Sequence, residues 1–191
     1  EQVLTQGLSL FPMEIVCTEI LRAGLSEVGT LWYRGKASIQ QEHFATQLAI
    51  RRINTLITSA PTPLHNETIL IACPEGENHT FSALLLTLLL RYRAWNVVYL
   101  GANVPISQIE KMGEAIQPDL VIMIAMRLIT AANLLKSAQI ITQMDLGFAF
   151  GGWVFSNTPN IEQNFPGSFL GESLVESIPM IENLLSKPIE N

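Results

Sequence analysis

Two kinds of hydrophobic pattern divide the chain. Up to about residue 60, apolar positions recur every three or four residues, the period of one helix face. In MEIVCTEILRAGLSEVGTLWYRG the set Val16, Ile20, Leu21, Leu25, Val28 and Trp32 keeps that spacing, and Gly35 stands where a C-terminal cap is expected. The pattern restarts in ASIQQEHFATQLAIRRINTLI. There Ser38 and Gln41 have capping-box form, which predicts a new helix with Glu42 and His43 in its first turns. TSAPTPLHN, with two prolines and no period, predicts a linker over 61–66.

Beyond the linker the signal changes. Apolar runs TILIACP (68–74), VVYLG (97–101), DLVIMIA (119–125) and GFAFGG (147–152) read as buried strands. Helix-like segments begin between them near Thr80, Pro105 and Leu128, and a last helix is expected near Ser173–Leu185. Fully apolar strands joined by helices predict a parallel sheet covered on both faces. The expected domains are therefore a helical part over 1–60, the linker, and an α/β domain over 67–191.

Composition narrows the class. The chain is 48% hydrophobic and 15% charged, which suits a globular protein with a buried sheet or an obligate interface. ALLLTLLL, bounded by Ser82 and Arg91, falls far short of the ~20 apolar residues a membrane span needs and reads as a core helix. The N-terminus has neither a basic start nor a small-residue cleavage site, so a secretory signal is not expected. Cys17 and Cys73 lie in apolar surroundings in different units, which favours buried thiols in a reducing cytoplasm over a disulfide or a metal pair. Residues 1–66 hold five Lys/Arg and five Asp/Glu, so the net charge of −6 belongs to the second part and argues against nucleic-acid binding by this chain alone.

The candidate chemistry lies at the rim of the predicted sheet. Ligands of doubly wound sheets bind beyond the carboxyl ends of the strands. EGENH, carrying Glu77 and His79, leaves the first strand at that edge, and LGANVP and FGGW, carrying Gly101, Gly151 and Gly152, end two others. His79 could serve as base, metal ligand or helix cap, and Glu77 is close enough in sequence to orient its ring. CPEGENHTFS has one glycine and two acids, lacks both G-x-G-x-x-G and a terminal Gly-Lys-Ser/Thr, and so disfavours nucleotide phosphates. No H-E-x-x-H, G-x-S-x-G or zinc-spaced cysteine pair occurs. In the helical part Trp32 is followed after nine residues by Glu42 and His43; taken alone these read as a packed Trp and a solvated Glu at a helix start. Arg51, Arg52, Arg91 and Arg93 read as solvent-facing or interface charges.

From about Leu10 to Leu185 the sequence resembles cobalamin-binding modules, a helical bundle followed by a flavodoxin-like, five-stranded, doubly wound sheet with His in the first βα loop. It is most similar to the light-sensing half of MerR-type, adenosylcobalamin-dependent repressors, whose W-x9-E-H is matched by Trp32, Glu42 and His43 and whose E-x-H is matched by Glu77 and His79. The resemblance implies adenosylcobalamin as cofactor, with His79 as lower axial cobalt ligand displacing dimethylbenzimidazole. Trp32, Glu42 and His43 would cover the upper face, and Ser82, Gly101, Gly151 and Gly152 would line the corrin and its tail. It further implies a homo-oligomeric, light-responsive cytoplasmic regulator that is not an enzyme. A corrinoid methyl carrier, another tetrapyrrole and a module without cofactor are the alternatives. Three positions depart from the family: Ser82 stands for a Gly, Ile124 or Ala125 for a Ser, and Tyr33 for a His found in some relatives.

Overall fold

The structure is a computed structural model and describes residues 2–186. The chain forms two compact units, Glu1–Ala60 and Pro61–Asn191.

The first unit is helical. It comprises α1 (Gln2–Leu10), α2 (Met13–Ile15), α3 (Ala23–Tyr33) and α4 (Ile39–Thr58). Pro12 stands at the N-cap of α2, where its ring ends α1. A π-helical stretch, Val16–Arg22, joins α2 to α3 and buries Val16, Cys17, Thr18 and Leu21. Helix α3 closes as the glycine predicts: Gly35 has φ +68°, its N–H donates to the Trp32 carbonyl at 2.9 Å, and Lys36 N–H donates to the Leu31 carbonyl at 2.8 Å. This Schellman pairing satisfies carbonyls the helix end would leave open. Helix α4 opens with the predicted capping box: Gln41 N–H donates to Ser38 Oγ at 3.2 Å, and Ser38 N–H donates to Gln41 Oε1 at 2.8 Å.

The second unit is the α/β layer structure. Strands β1 (Thr68–Pro74), β2 (Asn96–Val104), β3 (Leu120–Ile124), β4 (Gly147–Gly151) and β5 (Ser168–Phe169) form one sheet in the order β2-β1-β3-β4-β5. All its pairs are parallel. Helices α5 (Phe81–Tyr92), α6 (Ile109–Ile116), α7 (Leu128–Gln143), α8 (Trp153–Asn157) and α9 (Leu174–Ser186) complete the unit. Strand alternation sorts the core. Leu70, Ala72, Val121, Met123, Phe148 and Phe150 pack with Leu134, Ala138 and Ile141 of α7. Ile69, Ile71 and Cys73 have the opposite parity and are fully buried too. Burial on both faces explains why these strands read as unbroken apolar runs, and each large side chain so buried contributes about 1.5–3 kcal/mol.

Residues 61–66 belong to the second unit. Leu64 and His65 N–H both donate to the Ala94 carbonyl, at 2.8 and 3.3 Å, and the His65 ring stacks on Trp95 at 3.6 Å. Among the described residues no helix is long and apolar enough to cross a membrane. Arg52, expected as a solvent-facing or interface charge, is half-buried, and among the described residues its buried Nε has no hydrogen-bond partner.

Strand β1 lies between β2 and β3. The chain leaves β1 to build one side of the sheet and later returns to build the other, so the carboxyl end of β1 borders the crevice where such sheets bind ligands. The His79 loop leaves from that point.

Candidate functional site

The β1–α5 loop begins with a tight turn. Glu77 N–H donates to the Pro74 carbonyl at 2.9 Å, and Gly76 between them has φ +81°, the left-handed value a type II turn requires at its third position. The end of β2, the turn after it and helix α7 hold the turn. Gly76 N–H donates to Asn103 Oδ1 at 2.7 Å, Asn133 Nδ2 to the Glu75 carbonyl at 3.0 Å, and Ile106 N–H to Glu75 Oε2 at 3.0 Å. The Arg127 guanidinium donates to the Gly76 carbonyl.

The turn sends the Glu77 side chain inward and His79 outward. Glu77 is fully buried, whereas the His79 side chain is 61% exposed. Four donors meet the buried carboxylate. Oε1 accepts from His79 N–H at 3.0 Å and pairs with His79 Nδ1 at 2.6 Å. Oε2 accepts from Met126 N–H at 2.8 Å and the Thr130 hydroxyl at 2.6 Å. The single Thr130 proton is committed to Glu77, and the hydroxyl oxygen accepts from Arg127 N–H at 3.2 Å. Burial by itself raises the Glu77 pKa, but the bonds from Thr130, from the His79 and Met126 N–H groups and from the His79 ring outweigh it and hold the value at about 2. Glu77 is therefore a carboxylate at neutral pH. Bonded to a carboxylate, Nδ1 carries the proton, and the Nε2 lone pair is left for a ligand.

Among the described residues no group of three or more His, Cys, Asp or Glu could hold a metal ion. The His79 Nε2 offers one donor, the number an axial position of a metal already held by a macrocycle takes. The surroundings agree with a large, partly apolar ligand. Leu128 and Ile129, at the start of α7 after β3, are 62% and 67% exposed, and Trp153, after β4, is 61% exposed, all beyond the carboxyl ends of the strands.

The other expected residues fall as follows. Ser82 is half-buried in the first turn of α5, directly after the loop. Gly101 lies within β2, with φ +81°, paired to Ala72 just after the β1–β2 register shifts. Gly151 ends β4, and its carbonyl accepts from Ala125 N–H at 3.0 Å. Gly152 has φ +118°, and a Cβ there would lie 2.0 Å from the Ala125 carbonyl oxygen, so the strand ends approach too closely for any side chain. Ile124 and Ala125 are buried. In the helical unit Trp32 is 46% exposed near the end of α3. Glu42 Oε2 lies 2.8 Å from His43 Nδ1, and Thr46 donates to Glu42 Oε1 at 2.9 Å, so this pair is also organised around a carboxylate. Tyr33, beside Trp32, is 88% exposed.

Sequence reasoning did not find Thr130, Met126 or Asn103. Thr130 and Met126 lie 53 and 49 residues from Glu77, and Asn103 lies 27 from Gly76. Only the LGANVP strand end gave any signal for Asn103, and that pointed to Gly101.

Residues 1–57 match the family described as B12 binding domain. The HTH-type transcriptional repressor CarH of Myxococcus xanthus is 32% identical over 119 residues, which is 62% of this chain and 40% of CarH. The chain thus matches well under half of that relative's length. Among solved structures, the monomethylamine corrinoid protein of Methanosarcina barkeri has a TM-score of 0.73 at 15% identity, covering 95% of this chain and 89% of its own. A cobalamin-binding protein from Desulfitobacterium hafniense DCB-2 has a TM-score of 0.56 at 16% identity, covering 96% and 89%. The helical part thus matches the B12 binding domain family by sequence, and the whole chain shares its helix-then-parallel-sheet layout with these corrinoid and cobalamin proteins.

Proposed function

We propose that this chain is a corrinoid-binding sensory module in which His79 Nε2 is the lower axial ligand of cobalt. The carrying observation is the Glu77–His79 pair: a buried, four-fold hydrogen-bonded carboxylate fixes Nδ1 and presents the other nitrogen on an exposed ring. The similarity to CarH supports a regulatory role. When bound, adenosylcobalamin would supply a cobalt–carbon bond that light can break. His79 would anchor the ring from below, with Ser82, Gly101, Gly151 and Gly152 lining the rim of the sheet. Trp32, Glu42 and His43 would enclose the upper ligand, Trp32 supplying an apolar face and the carboxylate of Glu42 a hydrogen-bond acceptor. Contact with DNA would come from a segment or partner outside residues 1–191, in keeping with the net charge of −6. Self-association would then be the state that the signal changes.

Reconstitution with adenosylcobalamin tests this reading. The wild-type chain should retain the corrinoid through gel filtration and change its absorption spectrum under green light, and His79→Ala should lose it. Equal loss of corrinoid from both proteins would overturn the proposal.

The fold shared with the monomethylamine corrinoid protein favours a second reading, a methyl carrier serving a partner enzyme. A carrier must leave the upper cobalt face open to that partner, whereas the role proposed here for Trp32 and Glu42 would close it. Methyl transfer from the methylcobalamin-loaded chain to a methyltransferase would decide for the carrier.

A further inference from the structure

Asn103 sits in the LGANVP segment but takes no part in the ligand set proposed above. It lies in β2 one residue before Val104 and adopts φ +55°, a left-handed conformation that Asn tolerates better than other side chains. The β1–β2 register shifts here, between Ala72↔Gly101 and Pro74↔Val104. Such irregularities turn a strand so that it can aim groups at a neighbouring site. Two groups of Asn103 are aimed at the His79 loop: Oδ1 accepts from Gly76 N–H at 2.7 Å, and its own N–H donates to the Glu77 carbonyl at 3.0 Å. The residue thus brackets the Gly76–Glu77 peptide from both sides. That peptide leads directly into the Glu77 side chain, whose two oxygens must meet His79 on one side and Met126 and Thr130 on the other.

We propose that Asn103 is a positioning residue for the axial histidine: by clamping the Gly76–Glu77 peptide it sets the Glu77 carboxylate, and through it the tautomer and direction of the His79 ring. This rests on His79 as the ligating residue, but the alignment exists in the protein before any corrinoid is bound. Asn suits the position because one residue must adopt a left-handed backbone and also offer a side-chain acceptor. Gly would meet the first need alone, and Asp would meet both.

The test uses the whole chain, free of corrinoid and labelled with 15N-histidine and 15N-glycine. In wild type the His79 nitrogens should show the Nδ1–H tautomer. Asn103→Gly keeps the left-handed backbone without strain and deletes the acceptor. It should give a mixture of tautomers and faster amide exchange at Gly76, and Asn103→Asp should restore the wild-type signature. Asn103→Ala, which also lacks the acceptor, is the second variant should the glycine chain fold poorly. Titration with aquocobalamin should show binding weakened about three- to tenfold in the Gly variant and recovered in the Asp variant, the scale of one lost hydrogen bond. A folded Gly or Ala variant with an unchanged tautomer signature would overturn the role of Asn103. Absence of corrinoid binding by wild type would overturn the proposed function instead, and the tautomer result would still decide the clamp.

Discussion

Replacing Glu77 by Gln tests how the site is built, because the change removes a charge while nearly keeping the shape. Four donors converge on this side chain, two on each oxygen. An amide has one acceptor oxygen, so its NH2 group must take the place of the other. If NH2 faces His79, the ring can switch tautomer and accept, but the His79 N–H is left facing a donor. If NH2 faces Thr130, the hydroxyl can turn and accept, since the Arg127 carbonyl lies 2.9 Å away to take its proton, but the Met126 N–H is left without a partner. Either way one backbone donor is stranded, at about 1–3 kcal/mol.

The charge adds a pH dependence with a definite sign. The folded-state pKa of Glu77 is lowered from 4.5 to about 2. A lowered carboxylate pKa stabilises the fold fully above about 4.5, and that contribution is lost as the pH falls toward 2. At about 1.4 kcal/mol for each pH unit between the two values, the contribution is roughly 3 kcal/mol. Glu77→Gln should therefore destabilise the second unit by about 3 kcal/mol or more near neutral pH, and the gap should narrow as the pH falls below about 4.5. Urea titrations from neutral pH down to about pH 3 measure it. A Trp32→Phe background leaves Trp95 and Trp153, both in the second unit, as reporters. A gap that stays constant from neutral to acid pH would refute the reasoning.

Three further outcomes follow from the geometry. Gly152→Ala should destabilise the second unit by about 3 kcal/mol or more in urea titrations, because its φ of +118° and a Cβ 2.0 Å from the Ala125 carbonyl oxygen demand movement of two strand ends. Cys17 and Cys73 are pushed up to about 12, by burial first and then by the nearby carboxylates of Glu14 and Glu77 respectively, so an aromatic disulfide reagent at mildly alkaline pH should titrate neither thiol in the folded chain and both in urea. Ser38→Ala breaks the capping box of α4 and should lower the stability of the helical unit by about 1 kcal/mol by thermal melting, with Ser38→Thr retaining most of it.

Local rules carried much of this structure. Ser38, Gln41 and Gly35 act within a few residues of themselves, so the start of α4 and the end of α3 were readable from sequence. Strands β1, β3 and β4 were readable because burial on both faces leaves unbroken apolar runs; β2, expected as a buried strand over 97–101, is instead a half-buried edge strand of the sheet and extends to Val104. Strand β5 is two residues long, too short for a period, and the 3-10 turns at Ile106–Gln108 and Ile161–Asn164 and the short helix α8 also lacked one. The π-helical stretch at Val16–Arg22 carries the same apolar spacing as an ordinary helix and so looked like one. At the site, His79 stood out because an imidazole between two apolar elements at a strand end has few structural uses. The groups that hold Glu77 were invisible, since Met126 and Thr130 reach it from the end of β3 and the start of α7, contacts that only the folded sheet creates.

The central claim, that His79 Nε2 ligates cobalt, is tested most directly by the electron paramagnetic resonance of the cob(II)alamin-loaded chain. The protein is labelled with 15N-histidine and the corrinoid is left unlabelled. An axial nitrogen from His79 would split each cobalt line into a doublet, and His79→Ala would abolish that splitting. A triplet, the mark of the corrinoid's own 14N base still bound below the ring, would contradict the account.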